Sequence, residues 1–138
     1  MQIILCFLVA FSFAVSAEDN YLIGKWEFDG ARTLSGLELK KAVPDRFLEY
    51  YRTGRLPADV TYTFTDSTWW LEFPSGFVGD RTKYEVSEIR EDNGVVIIEI
   101  VDGEEESIQE YFFPNRNLCY GFAQHNGFVY KEYLRRVE

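Results

Sequence analysis

The sequence predicts an all-β fold, an antiparallel up-and-down barrel of about eight strands with two short helices inserted between the first and second strands. Three observations carry this. Apolar and polar residues alternate in short runs through most of the chain, which is the period of a half-buried strand. Asp-Gly and Asn-Gly pairs punctuate those runs, and such pairs adopt the positive φ angles of tight hairpin turns. Only residues 33 to 56 change to a three-to-four spacing, the period of a helix.

Composition narrows the class further. The chain has 138 residues, of which 46% are hydrophobic and 17% aromatic. It is too apolar to remain disordered and long enough to build one core without disulfide staples. A net charge of −9 argues against nucleic acid as a partner, because phosphate neutralisation needs a basic face. Two cysteines and one histidine leave little material for metal or nucleophile chemistry, and no cofactor is expected.

Residues 1 to 17 read as a signal peptide. The apolar stretch from Ile3 to Val15 is 13 residues long, short for a bilayer span but suited to a signal core. Val15-Ser16-Ala17 puts small or short residues at the cleavage site. Cleavage after Ala17 is expected, leaving residues 18 to 138 as a single domain, secreted or periplasmic, with no stable membrane insertion. The alternative is a retained N-terminal anchor, since no Lys or Arg precedes the core. Cys6 leaves with the signal, so Cys119 is either a buried small hydrophobe or a thiol that pairs between chains.

The elements follow in order. Gly24, Trp26 and Phe28 share one face of the first strand, which ends at Asp29-Gly30. Leu34, Leu37 and Val43 suggest a short helix started by Thr33 or Ser35. Pro44 closes it and opens a second helix carrying Phe47, Leu48 and Tyr51, with Gly54 as its C-terminal cap. Val60, Tyr62 and Phe64 then alternate with threonines. Asp66-Ser67 turns the chain into a strand with Trp69, Leu71 and Phe73 on one face. After Pro74-Ser75-Gly76, Tyr84 and Val86 point inward, and Asn93-Gly94 makes the next hairpin. Val96, Ile98 and Ile100 mark the most apolar strand, and Asp102-Gly103 the turn after it. Strands over residues 107–113, 118–122 and 128–137 complete the chain.

Gly24-Lys25-Trp26 on the first strand resembles the Gly-x-Trp motif that opens lipocalins and their calycin relatives. The whole layout is similar to small secreted lipocalin-like proteins of unassigned function. The two inserted helices resemble the helical lid of fatty-acid-binding proteins. The resemblance implies a barrel whose narrow end is closed by Trp26, with a basic residue of the last strand, Arg135 or Arg136, stacked over it. Departures are also present: no Thr-Asp-Tyr motif, no C-terminal helix, and Lys131-Glu132-Tyr133 where fatty-acid-binding proteins carry an Arg-x-Tyr pair.

Trp26, Phe28, Tyr62, Phe64, Trp69, Tyr84, Tyr111 and Phe112 are therefore expected either to line a pocket for a small apolar ligand or to fill a dry core. Adjacent strand residues face opposite ways. Trp70, with Phe77, is thus expected to form an exposed patch for a protein partner, unless the helical insertion covers it. No Ser-His-Asp or Cys-His arrangement is recognisable around His125, so a non-enzymatic binding protein is expected. The alternative is an extracellular interaction or inhibitor module with a filled barrel. The acidic turns at residues 91–93 and 102–106 read as solvated hairpin tips, not metal sites.

Overall fold

Eight strands realise the alternation: β1 (Gly24–Phe28), β2 (Thr61–Phe64), β3 (Thr68–Glu72), β4 (Thr82–Asp92), β5 (Val95–Asp102), β6 (Ser107–Asn115), β7 (Leu118–His125) and β8 (Phe128–Arg136). Each pairs antiparallel with its neighbours in the chain, and β8 returns to β1 to close the barrel. The computed structural model describes residues 19–40, 43–53, 60–104, 106–125 and 127–137. The expected signal segment and the Gly54 cap lie outside the described residues.

Register decides what points inward, because cross-strand partners share a face. Trp26 lies opposite Tyr62, Phe64 opposite Trp69, and Phe28 opposite Leu134. Ile98 lies opposite both Ile89 and Tyr111. β4 runs further than the sequence suggested, to Asp92. A register shift between Val86 and Glu88 resets its phase, so that Ile89 rejoins the interior. Asn93 and Gly94 then adopt φ angles of 49° and 81°, as their turn chemistry requires.

The helices α1 (Gly30–Glu38) and α2 (Asp45–Arg52) sit between β1 and β2. α1 begins at Gly30, not at Thr33 or Ser35, because Asp29 caps it. The Asp29 carboxylate accepts the Arg32 backbone N–H at 3.0 Å, and its carbonyl accepts that of Thr33 at 3.1 Å. Pro44 is the N-cap of α2. Thr33 is buried, and its hydroxyl accepts the backbone N–H of Tyr133, which docks α1 on β8. Leu37, Leu48 and Tyr130 form a second small core, with Phe47 and Tyr51 packed against it.

The main core lies at the other end of the barrel, where Leu22, Trp26, Phe64, Tyr84, Ile98, Ile100, Phe113, Cys119 and Leu134 pack together. The lead segment plugs this end. The Trp26 indole donates to the Leu22 carbonyl at 2.7 Å, and the Asn20 amide donates to the Tyr84 hydroxyl at 3.1 Å.

Arg136 holds the plug in place. Its guanidinium lies 4.3 Å over the Trp26 ring and donates to the carbonyls of Tyr21, Ile23 and Arg116. Of Arg135 and Arg136, the two candidates for the stacking role, it is Arg136 that takes it and not Arg135. The register gives the reason: Arg136 is the partner of Trp26, whereas Arg135 is the partner of Glu27 on the outer face and bonds it at 2.6 Å. Loss of a half-buried, charge-assisted fork costs more than loss of an exposed ion pair. Arg136→Ala is expected to destabilise the protein by roughly 2–3 kcal/mol. Arg135→Ala is expected to cost under about 1 kcal/mol. Urea unfolding of the two variants checks this order, and equal losses would contradict the assignment.

Candidate functional site

The barrel is not filled throughout. A cavity of about 640 Å³ lies beside the main core, walled by Phe28, Tyr62, Tyr111 and Leu134 from the interior faces of β1, β2, β6 and β8. Ile108, Glu110, Phe112 and Phe122, from the outer faces of β6 and β7, line it as well. Residues from both faces of two adjacent strands can share one cavity only if it reaches the surface between them. The pairing explains this opening. β5 and β6 are matched over seven register pairs and β7 and β8 over eight, but β6 and β7 have only Phe112↔Tyr120 and Asn115↔Leu118, with a register shift between them. Pro114, which has no N–H to donate, falls within that irregular stretch. Beyond Phe112↔Tyr120 the ladder between these strands lapses.

Gly121 adds to the space. It faces inward opposite Glu132 and brings no side chain to the interior. A Cβ placed there would come no closer than 3.6 Å to the Glu110 carbonyl oxygen, so the absence of a side chain is not forced by a clash.

Two hydrogen-bond chains tie polar groups of the lining, Glu132 in one and Tyr111 with Gln109 in the other, to residues behind it. Tyr51 donates to the Tyr130 hydroxyl at 2.9 Å, and Tyr130 donates to Glu132 Oε1 at 3.1 Å. Tyr111 donates to Gln109 Oε1 at 3.0 Å. The Gln109 amide reaches Asp102 Oδ2 at 3.4 Å, while the Trp69 indole donates to Asp102 Oδ1 at 2.7 Å. Asp102, expected in a solvated turn, is thus buried and turned inward as the acceptor for two side chains. Burial raises the pKa of Tyr62, and the Glu132 charge adds to that rise. Burial likewise raises Tyr111, with smaller contributions from Cys119, Asp102 and Glu132. Both phenols stay protonated and neutral at physiological pH. The charged residues of the described lining are Glu110, whose carboxylate pairs with Arg90 at 2.6 Å, and Glu132.

The residues named from sequence separate into three groups. Phe28, Tyr62 and Tyr111 line the cavity. Trp26, Phe64 and Tyr84 belong to the packed core, with Trp69 against it. Phe112, expected inside, faces outward, paired with Ile97 and Tyr120, because its neighbours Tyr111 and Phe113 take the interior positions, and it lines the cavity from that outer side. It stacks on Tyr120 with ring centroids 5.1 Å apart, and Phe122 and Tyr133 extend that outer cluster.

Trp70 does face outward, but it is half-buried: Arg81 lies 4.2 Å over its ring and its indole donates to Glu72. Phe77 is 64% exposed and touches Phe73. Gln109, Gly121, Phe122 and Glu132 were not singled out from sequence. For Glu132 the signal was present, since it is in phase with Leu134 and Arg136 on a strand whose even positions face inward. Among the described residues no three His, Cys, Asp or Glu side chains are grouped to hold a metal ion.

No protein-family model, curated protein or solved structure matches this chain. The class therefore rests on the architecture alone: a closed eight-stranded antiparallel barrel, compatible with a calycin-like fold.

Cys119 is fully buried in the main core. Burial pushes its thiol up to about 12, against the opposing pull of Arg136. In the native protein it is expected to react with a thiol reagent at least about 100-fold more slowly than in the unfolded chain. The stability gained by keeping this thiol and Tyr84 protonated is present below their unfolded pKa values and lost as pH rises through the folded ones. Thermal unfolding followed above neutrality is therefore expected to show a melting temperature that falls from roughly pH 8.5 upward.

Proposed function

We propose that this protein is a secreted, non-enzymatic binding protein that holds a small, mainly apolar ligand in the β6–β7 cavity, as its likeness to small lipocalin-like proteins suggests. One observation carries the reading. The barrel interior is packed around Trp26, while beside that core about 640 Å³ of space opens laterally between β6 and β7. That volume lies within the range of small-molecule sites, and aromatic walls with a few polar groups are their usual lining. The exposed side chains of Ile108 and Phe122, 67% and 56% accessible, flank the mouth and offer an apolar path to it.

The second reading is a protein-interaction module. The outer aromatic cluster of Phe112, Tyr120, Phe122 and Tyr133 favours it. That cluster overlaps the mouth, so in the first reading it serves ligand access.

An uncharged fluorescent probe, N-phenyl-1-naphthylamine, is expected to bind the purified protein saturably at one site per chain, with micromolar affinity. Gly121→Leu fills the space opposite Glu132 and is expected to weaken that binding at least about tenfold, while the far-UV spectrum stays that of the wild type. Absence of saturable binding by the wild type would remove the carrier reading and leave the interaction module.

A further inference from the structure

We infer that the cavity's ligand is a small amphipathic cation, an aromatic or alkyl amine protonated at neutral pH, whose ammonium group pairs with the Glu132 carboxylate. This rests on the carrier reading and adds the sign of the ligand's charge.

Glu132 is placed to receive such a group. It occupies an inward position of β8, half-buried, and faces Gly121, where no side chain competes for the space. One of its oxygens accepts from Tyr130, and no ion pair satisfies the carboxylate among the described residues. The nearby cations are directed elsewhere. Arg90 pairs with Glu88 and Glu110 on the outer face, Lys131 lies 4.3 Å over the outer Tyr120 ring, Arg135 pairs with Glu27, and Arg136 is bound to backbone carbonyls at the plugged end.

The rest of the site agrees in sign. Tyr62 and Tyr111 remain neutral, and the chain from Tyr111 through Gln109 ends on the Asp102 carboxylate. Among the described residues, no lysine or arginine lines the cavity. An anionic ligand would bring a second negative charge towards Glu132 in a partly desolvated space where no cation among the described residues is directed at it. A cation meets a carboxylate instead, together with the ring faces of Phe28, Tyr62 and Tyr111. The net charge of −9 draws cations and repels anions at longer range.

The test is calorimetric titration at neutral pH with three ligands that share a naphthyl skeleton: 2-(1-naphthyl)ethylamine, 2-(1-naphthyl)ethanol and 3-(1-naphthyl)propanoate. The wild type is expected to bind the amine at least about tenfold more tightly than the alcohol, and the carboxylate most weakly. Added salt is expected to weaken amine binding and leave the alcohol unchanged. Glu132→Gln keeps the side chain's shape and is expected to bring the amine's affinity down to that of the alcohol. If the wild type binds the alcohol as tightly as the amine, or binds the carboxylate best, the charge inference is overturned while the carrier reading stands. If none of the three binds, nor the uncharged probe, both fall. Should Glu132→Gln fail to fold, the wild-type ranking and its salt dependence still decide the matter.

Discussion

Closure of β1 against β8 is the constraint on which the rest of this structure depends. Only three register pairs make that seam: Trp26↔Arg136, Glu27↔Arg135 and Phe28↔Leu134. They join residues more than 100 positions apart, so the loop-closure entropy of this seam is among the largest in the fold. An eight-stranded sheet left open would also present two unpaired edges. Arg136 reinforces the seam by stacking on Trp26 and binding the carbonyls of the lead segment, which ties strand pairing to the sealing of one barrel end. The same register sets the phase of every inward residue on β1 and β8, Glu132 included.

Given closure, side-chain volume divides the interior. An eight-stranded barrel is just wide enough to be filled by side chains or to keep room for one small ligand. At the plugged end Trp26, Phe64, Tyr84 and Phe113 provide the bulk. Beside them the facing positions are Gly121 and Glu132, and the volume is not made up. The helical insertion bears on this second half. Asp29 starts α1, Thr33 docks it on β8, and the cluster of Leu37, Leu48 and Tyr130 packs with Phe47 and Tyr51 against the barrel. Tyr130 is at once part of that cluster and the donor to Glu132. The helices therefore fix the orientation of the carboxylate as well as covering apolar surface.

Much of the fold was legible because one face of each strand is buried and the other is not. The threonines that alternate with Tyr62 and Phe64, and the Asn-Gly turn after β4, left little choice of period or turn type. Legibility ended where both faces carry apolar groups. Tyr111, Phe112 and Phe113 are consecutive aromatics, and nothing local tells which of them points outward. The partners Ile97 and Tyr120 decide it, and they come from other strands. Ser87 was opaque for a related reason: a bulge inserts one residue and shifts the phase without any change in composition. Arg135 and Arg136 differ by one position, and only pairing with Trp26 separates them. Glu132 was hidden differently, since Lys131-Glu132-Tyr133 looks like an ordinary solvated face until Leu134 and Arg136 supply the phase.

Several departures from good barrel construction meet at one place. The β6–β7 ladder lapses, a glycine sits inside β7, a carboxylate with no counter-ion among the described residues points into the interior, and Phe122 and Ile108 stand exposed. Each lowers stability relative to an obvious alternative: a full ladder, a β-branched residue, an apolar side chain, a polar surface. At the plugged end the opposite holds, for Trp26, Asn20, Tyr84 and Arg136 all have partners. A chain that satisfies its polar groups so fully at one end has no general difficulty in doing so. Single departures occur elsewhere too, for Thr63 Oγ1 is buried without a partner among the described residues and β3 and β4 share only two register pairs. Several broken together around one cavity, however, mark where a fold serves something other than its own stability. Here that place is the mouth and wall of a single cavity. A ligand that filled the gap, covered the exposed rings and neutralised Glu132 would remedy most of these departures at once.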